Sequence, residues 1–517
     1  MSFRKIALLG GGLTTVGSLV TLAQNNWDIN SIGAVRLGRA VYATAAITAD
    51  YKFSVYSRHM PDDPEQVKQI WADTHKRCAE RILTLCKSNG GVFVKVGQHI
   101  GALEYLLPPP YIETLSILHS QAPFSSLDDV YKVIRQDLKI QSTDELFSEF
   151  DTNALGAASL AQVYKAKLRT TGETVAVKVQ HANVRAHSYV DMKTMEILVR
   201  TAALIFPDFK LLWLVDETKK NLPRELDFLH EGKNADMLRT LMTHCKWLKI
   251  PKVYWEHSTD RVLIMEYCDG GQINDLAYLN RNGISAREVS EKVGRLYSEM
   301  IFSHGFVHCD PHPGNLMVNR DVNGDTQICL LDHGLYTTLS PEFRYNYANF
   351  WLSIINSNVE GIKEYGTNLG VGELYGLFAC MVTARSWESL SSKDGVAKKL
   401  TPEEEQKIRK NIGNFLPQIS EILERVPRPM ILIFKTNDLI RGIEHALKTS
   451  KTMKSFTTMS KYCISAVYKE DFRRCVNRFW CYRYTLMEGW LLAKITMFEL
   501  FLWARSLLSP ILRLESM

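Results

Sequence analysis

The sequence lacks several features that would define its class at once. It has no Cys-x-x-Cys pair among its ten cysteines, no Asn-x-Ser/Thr sequon, no internal repeat and no low-complexity linker. The cysteine spacing does not indicate a disulfide framework or a zinc module, so buried or semi-buried free thiols are expected. The missing sequons disfavour long residence in the secretory pathway. A net charge of +6 over 517 residues does not suggest a dedicated nucleic-acid-binding protein.

Residues 1–27 contain no acidic residue. Arg4 and Lys5 precede an uncharged run over residues 6–27, which is only weakly apolar because glycines and hydroxyl residues dilute it. Three interpretations stay open: a mitochondrial targeting segment with a membrane anchor, a secretory signal peptide, or a soluble helix. We assign residues 1–28 to targeting and a membrane anchor.

The other end of the chain is also apolar. The stretch Trp490–Leu512 is rich in leucine, phenylalanine and tryptophan. On a helix Glu488 and Glu499 nearly eclipse, so the charges share one broad side opposite an apolar face. Such a helix can lie in a membrane interface or pack against the rest of the domain, and the sequence slightly favours packing.

The period of the apolar residues changes along the chain and predicts the fold class. Predicted helices cover residues 64–107 (interrupted at 89–91), 111–140 and 188–243, and predicted strands cover 162–168, 173–179, 252–255 and 261–267. Thr170-Thr171-Gly172 predicts a hairpin turn between the first two strands. After Gly270-Gly271 the chain is mostly helical. A small sheet followed by a helical body predicts a two-lobed α+β fold.

A lysine lies in an apolar strand. Lys178 ends the run Val175-Ala176-Val177-Lys178, and a buried ammonium group needs an anionic partner. Nucleotide phosphates and a carboxylate are natural partners. An exposed edge-strand lysine would explain the same four residues, so this motif alone is weak.

A second motif is far more specific. In the stretch His308–Asn315, Asp310 and Asn315 are five residues apart, the spacing at which kinases place a catalytic aspartate beside a magnesium-binding asparagine. Asp332, in Leu331-Asp332-His333-Gly334, follows an apolar run and can chelate magnesium that bridges phosphates. Asn323-Gly324 predicts a hairpin turn between the two motifs. Together with the lysine strand, these motifs indicate nucleotide-dependent phosphoryl chemistry or its degenerate remnant.

At this point the sequence closely resembles the UbiB family, also called ABC1 or aarF-domain atypical kinases. Lys95-Val96-Gly97-Gln98 resembles the family's Lys-x-Gly-Gln motif, and residues 156–163 resemble its alanine-rich nucleotide loop. Glu225-Leu226-Asp227 resembles its Glu-x-Asp motif. The resemblance covers roughly residues 64–450. Within the family, the N-terminal segment, the Asp-His-Gly motif and the helical tail resemble those of a mitochondrial animal subtype.

The resemblance implies a role for individual residues. Asp310 and Lys178 would be catalytic, Asn315 and Asp332 would hold Mg²⁺, and Lys178 would pair with Glu231. The residues that would bind ATP are Gly156, Ala157, Ala158, Ser159, Val163, Lys178, Glu231 and Glu266. Lys95, Gly97 and Gln98 would sit on a regulatory extension that covers the site, near Glu225 and Asp227. The loop carries Ala157 and Ala158 where ordinary kinases use glycine, which restricts the approach of its amides to phosphates.

The resemblance also implies an organisation and a function. We expect a helical extension with the Lys-x-Gly-Gln motif over 29–145, a kinase-like N-lobe over 146–270, a largely helical C-lobe over 271–450 and a helical tail, open to membrane association, over 451–517. We expect an ATP- and magnesium-dependent atypical kinase or ATPase at the inner mitochondrial membrane. Its partners would be a nucleotide and membrane lipids or membrane proteins, with no nucleic acid.

The resemblance links this activity to coenzyme Q or lipid homeostasis without naming a substrate. A nucleotide-binding pseudokinase scaffold is the alternative. A small-molecule kinase is a third possibility, which the Lys-x-Gly-Gln extension disfavours.

Overall fold

The structure is a computed structural model that describes residues 32–101, 107–119, 124–206, 212–391, 415–449, 454–476 and 478–514. The predicted targeting or anchor segment, residues 1–28, lies outside these ranges. The chain divides into two compact units. The first consists of residues 1–233 and 252–267, and the second consists of residues 234–251 and 268–517.

The described helices and strands agree with an α+β fold of kinase-like type. The helices are α1 (Gly33–Tyr51), α2 (Pro64–Asn89), α3 (Gly91–Gly101), α4 (Pro109–Leu115), α5 (Leu127–Leu138), α6 (Val184–Ile205), α7 (Leu212–Glu225), α8 (Phe228–Leu241), α9 (Leu276–Arg281), α10 (Ala286–Ser298), α11 (Pro341–Ile355), α12 (Val359–Asn368), α13 (Tyr375–Thr383), α14 (Trp387–Leu390), α15 (Leu416–Arg425), α16 (Arg428–Ala446), α17 (Lys454–Arg474) and α18 (Arg478–Leu514). The strands are β1 (Phe147–Ala157), β2 (Ala161–Leu168), β3 (Thr174–Gln180), β4 (Leu248–Lys249), β5 (Val262–Glu266), β6 (Gly271–Gln272), β7 (Phe306–His308), β8 (Leu316–Arg320), β9 (Thr326–Leu330) and β10 (Tyr336–Thr338).

The first unit contains a four-stranded antiparallel sheet in the order β1-β2-β3-β5. Gly172 adopts a φ of +71° in the turn between β2 and β3, so the predicted hairpin is confirmed. The strand predicted over 252–255 is wrong. That segment makes only an isolated bridge between Val253 and Met265, and Trp255 begins a short 3₁₀ turn.

Two apolar clusters fill the first unit. In the first cluster, α5 packs against one face of the sheet. The cluster includes Val130, Val133 and Ile134 of α5, together with Val175, Val177 and Ile264 of the sheet. The second cluster joins the helices α1 to α4 with α6 and α7, and it includes Cys78, Cys86, Val92, Phe93, Leu115 and Leu118. The break predicted at 89–91 is confirmed, because Gly90 with φ +65° ends α2.

The second unit surrounds two small sheets with helices. One sheet has the order β4-β9-β8-β6, and the other pairs β7 with β10. Gly324, with φ +84°, lies in the predicted turn between β8 and β9. Aromatic packing joins α11, α13 and α16 through Phe350, Phe378 and Phe434, with ring centroids 4.9 Å and 5.6 Å apart along that series.

The C-terminal helix packs through its charged side. Lys461 of α17 pairs with Glu499 of α18 at 2.6 Å, and Ser465 donates to Glu488 at 2.5 Å. Large apolar side chains that α18 leaves exposed up to residue 500 include Tyr482, Leu486, Trp490, Met497 and Leu500. In the part of α18 whose side chains are described, the favoured packing is thus seen against α17 through these polar contacts. Among the described residues no helix is both long enough and apolar enough to cross a bilayer.

The cysteines follow the expectation with one exception. Eight are free, and six of those are buried. The expectation is wrong for Cys475 and Cys481, which form a disulfide with Cα atoms 5.7 Å apart. The turn between α17 and α18 brings together two cysteines that are six residues apart, a spacing that the search for Cys-x-x-Cys pairs does not detect.

Gly97 provides a test of the helical extension. A Cβ atom there would lie 2.5 Å from Leu118 Cδ1 and 2.9 Å from Cys86 Sγ, both in the buried cluster. We expect Gly97→Ala to lower the free energy of unfolding by about 1–3 kcal/mol through overpacking. The matched control is Gly38→Ala, where a Cβ meets nothing within 4 Å and should raise the stability of α1 by about 0.5–1 kcal/mol. Urea unfolding measures both, and equal effects would contradict this packing.

Candidate functional site

The alanine-rich segment forms the turn between β1 and β2. Gly156 pairs with Val163, and Val163 pairs on its other side with Lys178. Directly opposite residues of neighbouring strands share a face of the sheet, so these three lie in one row. Ala157 ends β1, and the Ala158 amide donates to the Ala161 carbonyl at 2.7 Å to close the turn.

A histidine that the sequence did not single out holds this turn. His181 Nε2 lies 3.1 Å from the Ala158 carbonyl, and its Nδ1 lies 2.7 Å from Ser125 Oγ. Nε2 therefore donates to the carbonyl, and Nδ1 accepts from the hydroxyl. Burial lowers the pKa of His181, which favours this neutral form. Ser159, within the turn, is buried. The turn is thus tethered to the end of β3.

Lys178 forms a buried ion pair with Glu231. Its Nζ lies 2.7 Å and 2.8 Å from the two carboxylate oxygens, and the side chains are 9% and 4% exposed. The Phe228 ring centroid lies 5.3 Å from Nζ. Neither charge is tolerated alone in such surroundings. The pair therefore fixes β3 relative to α8 and presents a preorganised cation.

The extension supplies a second buried pair. Lys95 of α3 lies 2.7 Å from Glu225 at the end of α7, with side chains 12% and 6% exposed. Asp227 accepts from the Leu229 amide at 3.0 Å and so caps the start of α8. Gln98 donates instead to the Leu118 carbonyl at 2.9 Å. Lys95 thus meets the Glu-x-Asp motif directly, and Gln98 braces the extension.

Glu266 ends β5 opposite Val175 of β3. Its carboxylate accepts from the Lys252 amide at 3.3 Å. The side chain therefore supports the neighbouring segment of the chain, and its assignment to nucleotide binding stays a prediction.

In the second unit, Asp310 and Asn315 lie on one loop between β7 and β8. Asn315 Nδ2 donates to the Asp310 carbonyl at 3.0 Å, which leaves the amide oxygen as the atom that can ligate a cation. The Leu331 amide donates to the Asn315 carbonyl at 2.9 Å. That bond ties this loop to the segment that carries Asp332, whose carboxylate accepts from the Gly334 amide at 2.8 Å.

Lys435 of α16 adds a cation that the sequence analysis missed. Its Nζ lies 2.8 Å from Asp310 Oδ1, and the side chains are 9% and 14% exposed. Lys435 is 125 residues away in sequence, so no local motif reveals it. A signal was present nonetheless: Lys435 follows the apolar run Met430–Phe434, and a lysine in such a helix needs an anionic partner.

His333 packs inside the second unit. Its Nε2 lies 3.0 Å from the Leu330 carbonyl, and its Nδ1 lies 2.8 Å from the Tyr336 hydroxyl. The His333 ring stacks on Tyr336. The backbone carbonyl of His333 accepts a hydrogen bond from Asn234 Nδ2 at 2.9 Å. His333 therefore positions the backbone next to Asp332.

Comparison with known proteins now assigns the family. Residues 117–366 match the model of the ABC1 atypical kinase-like domain. The chain is similar to AarF domain-containing kinase 1 of Drosophila melanogaster, with 49% identity, 90% of this chain and 89% of the relative covered. It is also similar to AarF domain-containing protein kinase 1 of Gallus gallus, with 48% identity and 96% of each chain covered. The mouse protein of that name is 48% identical, with 98% of this chain and 94% of its own covered.

The chain therefore belongs to the ABC1, or AarF-domain, family of atypical kinases, which confirms the resemblance. The predicted α+β, kinase-like fold is likewise confirmed.

The neutral state of His308 gives a pH prediction. The side chain is fully buried beside the Tyr297 hydroxyl at 2.7 Å, and burial lowers its pKa to about 4. Between about pH 6.5 and pH 4 the unfolded chain binds more protons at this residue, so stability falls as pH falls through that window. From pH 7.5 to pH 5 this residue should remove about 2 kcal/mol from the free energy of unfolding.

The measurement is urea unfolding at both pH values for the natural protein and for His308→Gln. The variant lacks the titrating group, so its stability should depend less on pH by about that amount. Other histidines, such as the half-buried His75, are present in both proteins, so their contributions cancel in the difference. An unchanged pH dependence would contradict the neutral, buried state of His308.

Proposed function

We propose that this family member is an ATP- and magnesium-dependent atypical kinase or ATPase. The observation that carries the proposal is the retention of a full set of phosphoryl-transfer groups. One unit holds the buried Lys178–Glu231 pair, and the other holds Asp310, Asn315 and Asp332 on two loops joined by a backbone hydrogen bond. A protein that used the kinase-like fold only as a scaffold would not need these charged groups, and charged groups are costly to bury.

The first unit supplies nucleotide binding. Lys178 is held by Glu231 at a fixed position in the row that also contains Gly156 and Val163. In this role its ammonium group contacts the phosphates, while Glu231 keeps it oriented. The alanine turn, tethered by His181, covers the nucleotide with less close amide contact than a glycine-rich loop allows.

The second unit supplies the groups that act on the transferred phosphoryl. Asn315 and Asp332 offer an amide oxygen and a carboxylate oxygen, which are the hard ligands that Mg²⁺ prefers, so the donor set fits this ion. Bound there, Mg²⁺ would neutralise charge on the phosphates. Asp310 orients the attacking hydroxyl or water and accepts its proton. Lys435 pairs with the Asp310 carboxylate and fixes its direction.

One observation favours the alternative, a nucleotide-binding scaffold. The Asp310 carboxylate is already engaged by Lys435 at 2.8 Å, and this bond competes with any substrate hydroxyl. In the scaffold reading, ATP binding changes the conformation without turnover, and the Lys95–Glu225 pair couples the extension to α7.

The site of action we propose is the inner mitochondrial membrane, with membrane lipids or proteins as partners and with a link to coenzyme Q or lipid homeostasis. The support is the basic, acid-free N-terminal sequence together with the exposed apolar side of α18, formed by residues such as Leu486, Trp490 and Met497. The +6 charge surplus suits an anionic lipid surface.

The decisive experiment is ATP turnover with Mg²⁺, with and without vesicles of phosphatidylcholine and an anionic lipid. Asp310→Asn should lower the rate by about 10²–10⁴-fold, because it removes the proton acceptor. The control is Asp325→Asn, which changes an exposed carboxylate in the turn between β8 and β9 and should leave the rate unchanged. ATP binding without turnover in every condition would support the scaffold and overturn the enzyme.

The same assay decides the role of the extension. Lys95→Ala removes the partner of the buried Glu225 carboxylate. A gain of activity in the folded variant shows that the extension inhibits turnover. A lower melting temperature with an unchanged rate shows that the extension serves stability alone.

A further inference from the structure

Four side chains that belong to no motif of the phosphoryl-transfer site converge in the second unit. His244 and Cys245 follow the end of α8, and Glu299 and His304 lie in the π-helical turn after α10. His244 Nε2 lies 2.5 Å from Glu299 Oε1, and Cys245 Sγ lies 3.9 Å from Glu299 Oε2. The donor atoms of these three residues all lie within 4.8 Å of one another.

The π-helical geometry directs a fourth side chain, His304, to the same carboxylate, although its donor atom is not one of the three that lie within 4.8 Å of one another. The segment Glu299–His304 is a π-helix, in which the repeating bond joins residues five apart. In an α-helix of 3.6 residues per turn, positions 299 and 304 would point to different sides. Here His304 Nε2 lies 3.4 Å from Glu299 Oε1. Short π segments in long helices are frequent at functional sites.

Burial favours a metal ion held by this cluster. A protein cation, Arg295 of α10, also lies near it and interacts with Cys245, Glu299 and the Tyr462 hydroxyl. Cys245 and Glu299 are 3% and 5% exposed. The Tyr462 hydroxyl of α17 donates to Glu299 Oε2 at 2.9 Å and orients the carboxylate. The groups within ion-pair distance of Glu299 in the described part of the chain are the two imidazoles, which are neutral ligands when they bind a metal.

The donor set selects the kind of metal. Mg²⁺ and Ca²⁺ take oxygen ligands, whereas two imidazoles, a thiolate and a carboxylate suit Zn²⁺. Zinc bonds of about 2.0–2.3 Å in a tetrahedron separate neighbouring donors by roughly 3.4 Å. The 3.4 Å and 3.9 Å separations at Glu299 are close to that value, and the 2.5 Å separation requires His244, which is half exposed, to move outward.

We propose that His244, Cys245 and Glu299 form a structural Zn²⁺ site, with His304 as the fourth ligand after its ring turns from Glu299 toward the ion. A bound ion would tie the chain after α8 to the turn that leads through Gly305 into β7 and on to Asp310. Through Tyr462 it would also brace α17. None of these residues is among the groups assigned to ATP and Mg²⁺. The proposed zinc site can therefore be tested independently of the proposed activity.

The test uses the full-length protein, stripped with a chelator, reloaded with ZnCl₂ and dialysed, with bound zinc measured by elemental analysis. We expect one zinc per chain, and His244→Ala should bind it at least about 10-fold more weakly. His244 is half exposed, so this variant should fold. His59→Ala, which changes an exposed histidine of the first unit, is the matched control and should retain zinc, as should Asp310→Asn.

Loading with Co²⁺ adds a readout that a purely structural histidine would not change. A thiolate-to-cobalt charge-transfer band should appear in the natural protein and be absent from Cys245→Ser. The band should remain in Cys268→Ser, which alters a partly buried cysteine that forms no disulfide and lies outside the cluster. Tyr462→Phe should weaken binding by about 10-fold. Absence of retained zinc from the natural protein, or undiminished retention in His244→Ala, would overturn the proposal.

Discussion

The buried ion pair between Lys178 and Glu231 is the constraint on which the rest of the first unit depends. At 2.7 Å and with both side chains almost fully buried, the pair is stable only if β3 and α8 keep their relative position. The neighbouring elements serve that requirement. Asp227 caps the start of α8, and the apolar face of the sheet packs on α5. A fold that maintains such a pair also holds the Lys178 ammonium group in a fixed position, as the proposed nucleotide site requires.

In the second unit, too, a charged side chain, the Asp310 carboxylate, is held by a buried partner of opposite charge. Asp310 is held between a backbone contact to Asn315 and the ammonium group of Lys435, which comes from a helix distant in sequence. Nearby in the sequence, His308 and His333 are both buried, and each has a ring nitrogen at hydrogen-bond distance from a tyrosine hydroxyl. These contacts fix the segments next to Asp310 and Asp332, and such preorganisation is what the proposed phosphoryl transfer requires.

The sequence predicted the parts of the fold that are encoded locally. Both hairpin turns carry a glycine with positive φ, and the helix break at 89–91 is a glycine pair. The spacing of Asp310 and Asn315 is likewise local. Features that depend on tertiary packing were missed or mistaken: the isolated bridge at Val253 and the Cys475–Cys481 disulfide.

The same distinction holds at the candidate site. Three features of the molecule depend on partners that are distant in sequence. These are Lys435, His181, and the group formed by His244, Cys245 and Glu299. Neither periodicity nor a short motif in the sequence identifies such a partner. For Lys435 a physical argument was available, because a charged residue inside an apolar helix needs an opposite charge nearby.

The central claim is that the Lys178–Glu231 pair is part of a nucleotide site, and calorimetric titration of Mg²⁺-ATP into the protein tests it most directly. The natural protein should bind ATP, and Lys178→Met should bind it at least about tenfold more weakly. That factor corresponds to about 1.4 kcal/mol of binding free energy, lost with the charge-assisted hydrogen bond. Lys167→Met, which changes a half-exposed lysine paired with an exposed glutamate, should bind as the natural protein does. Equal affinity in all three proteins, or no binding by the natural protein, would contradict the account.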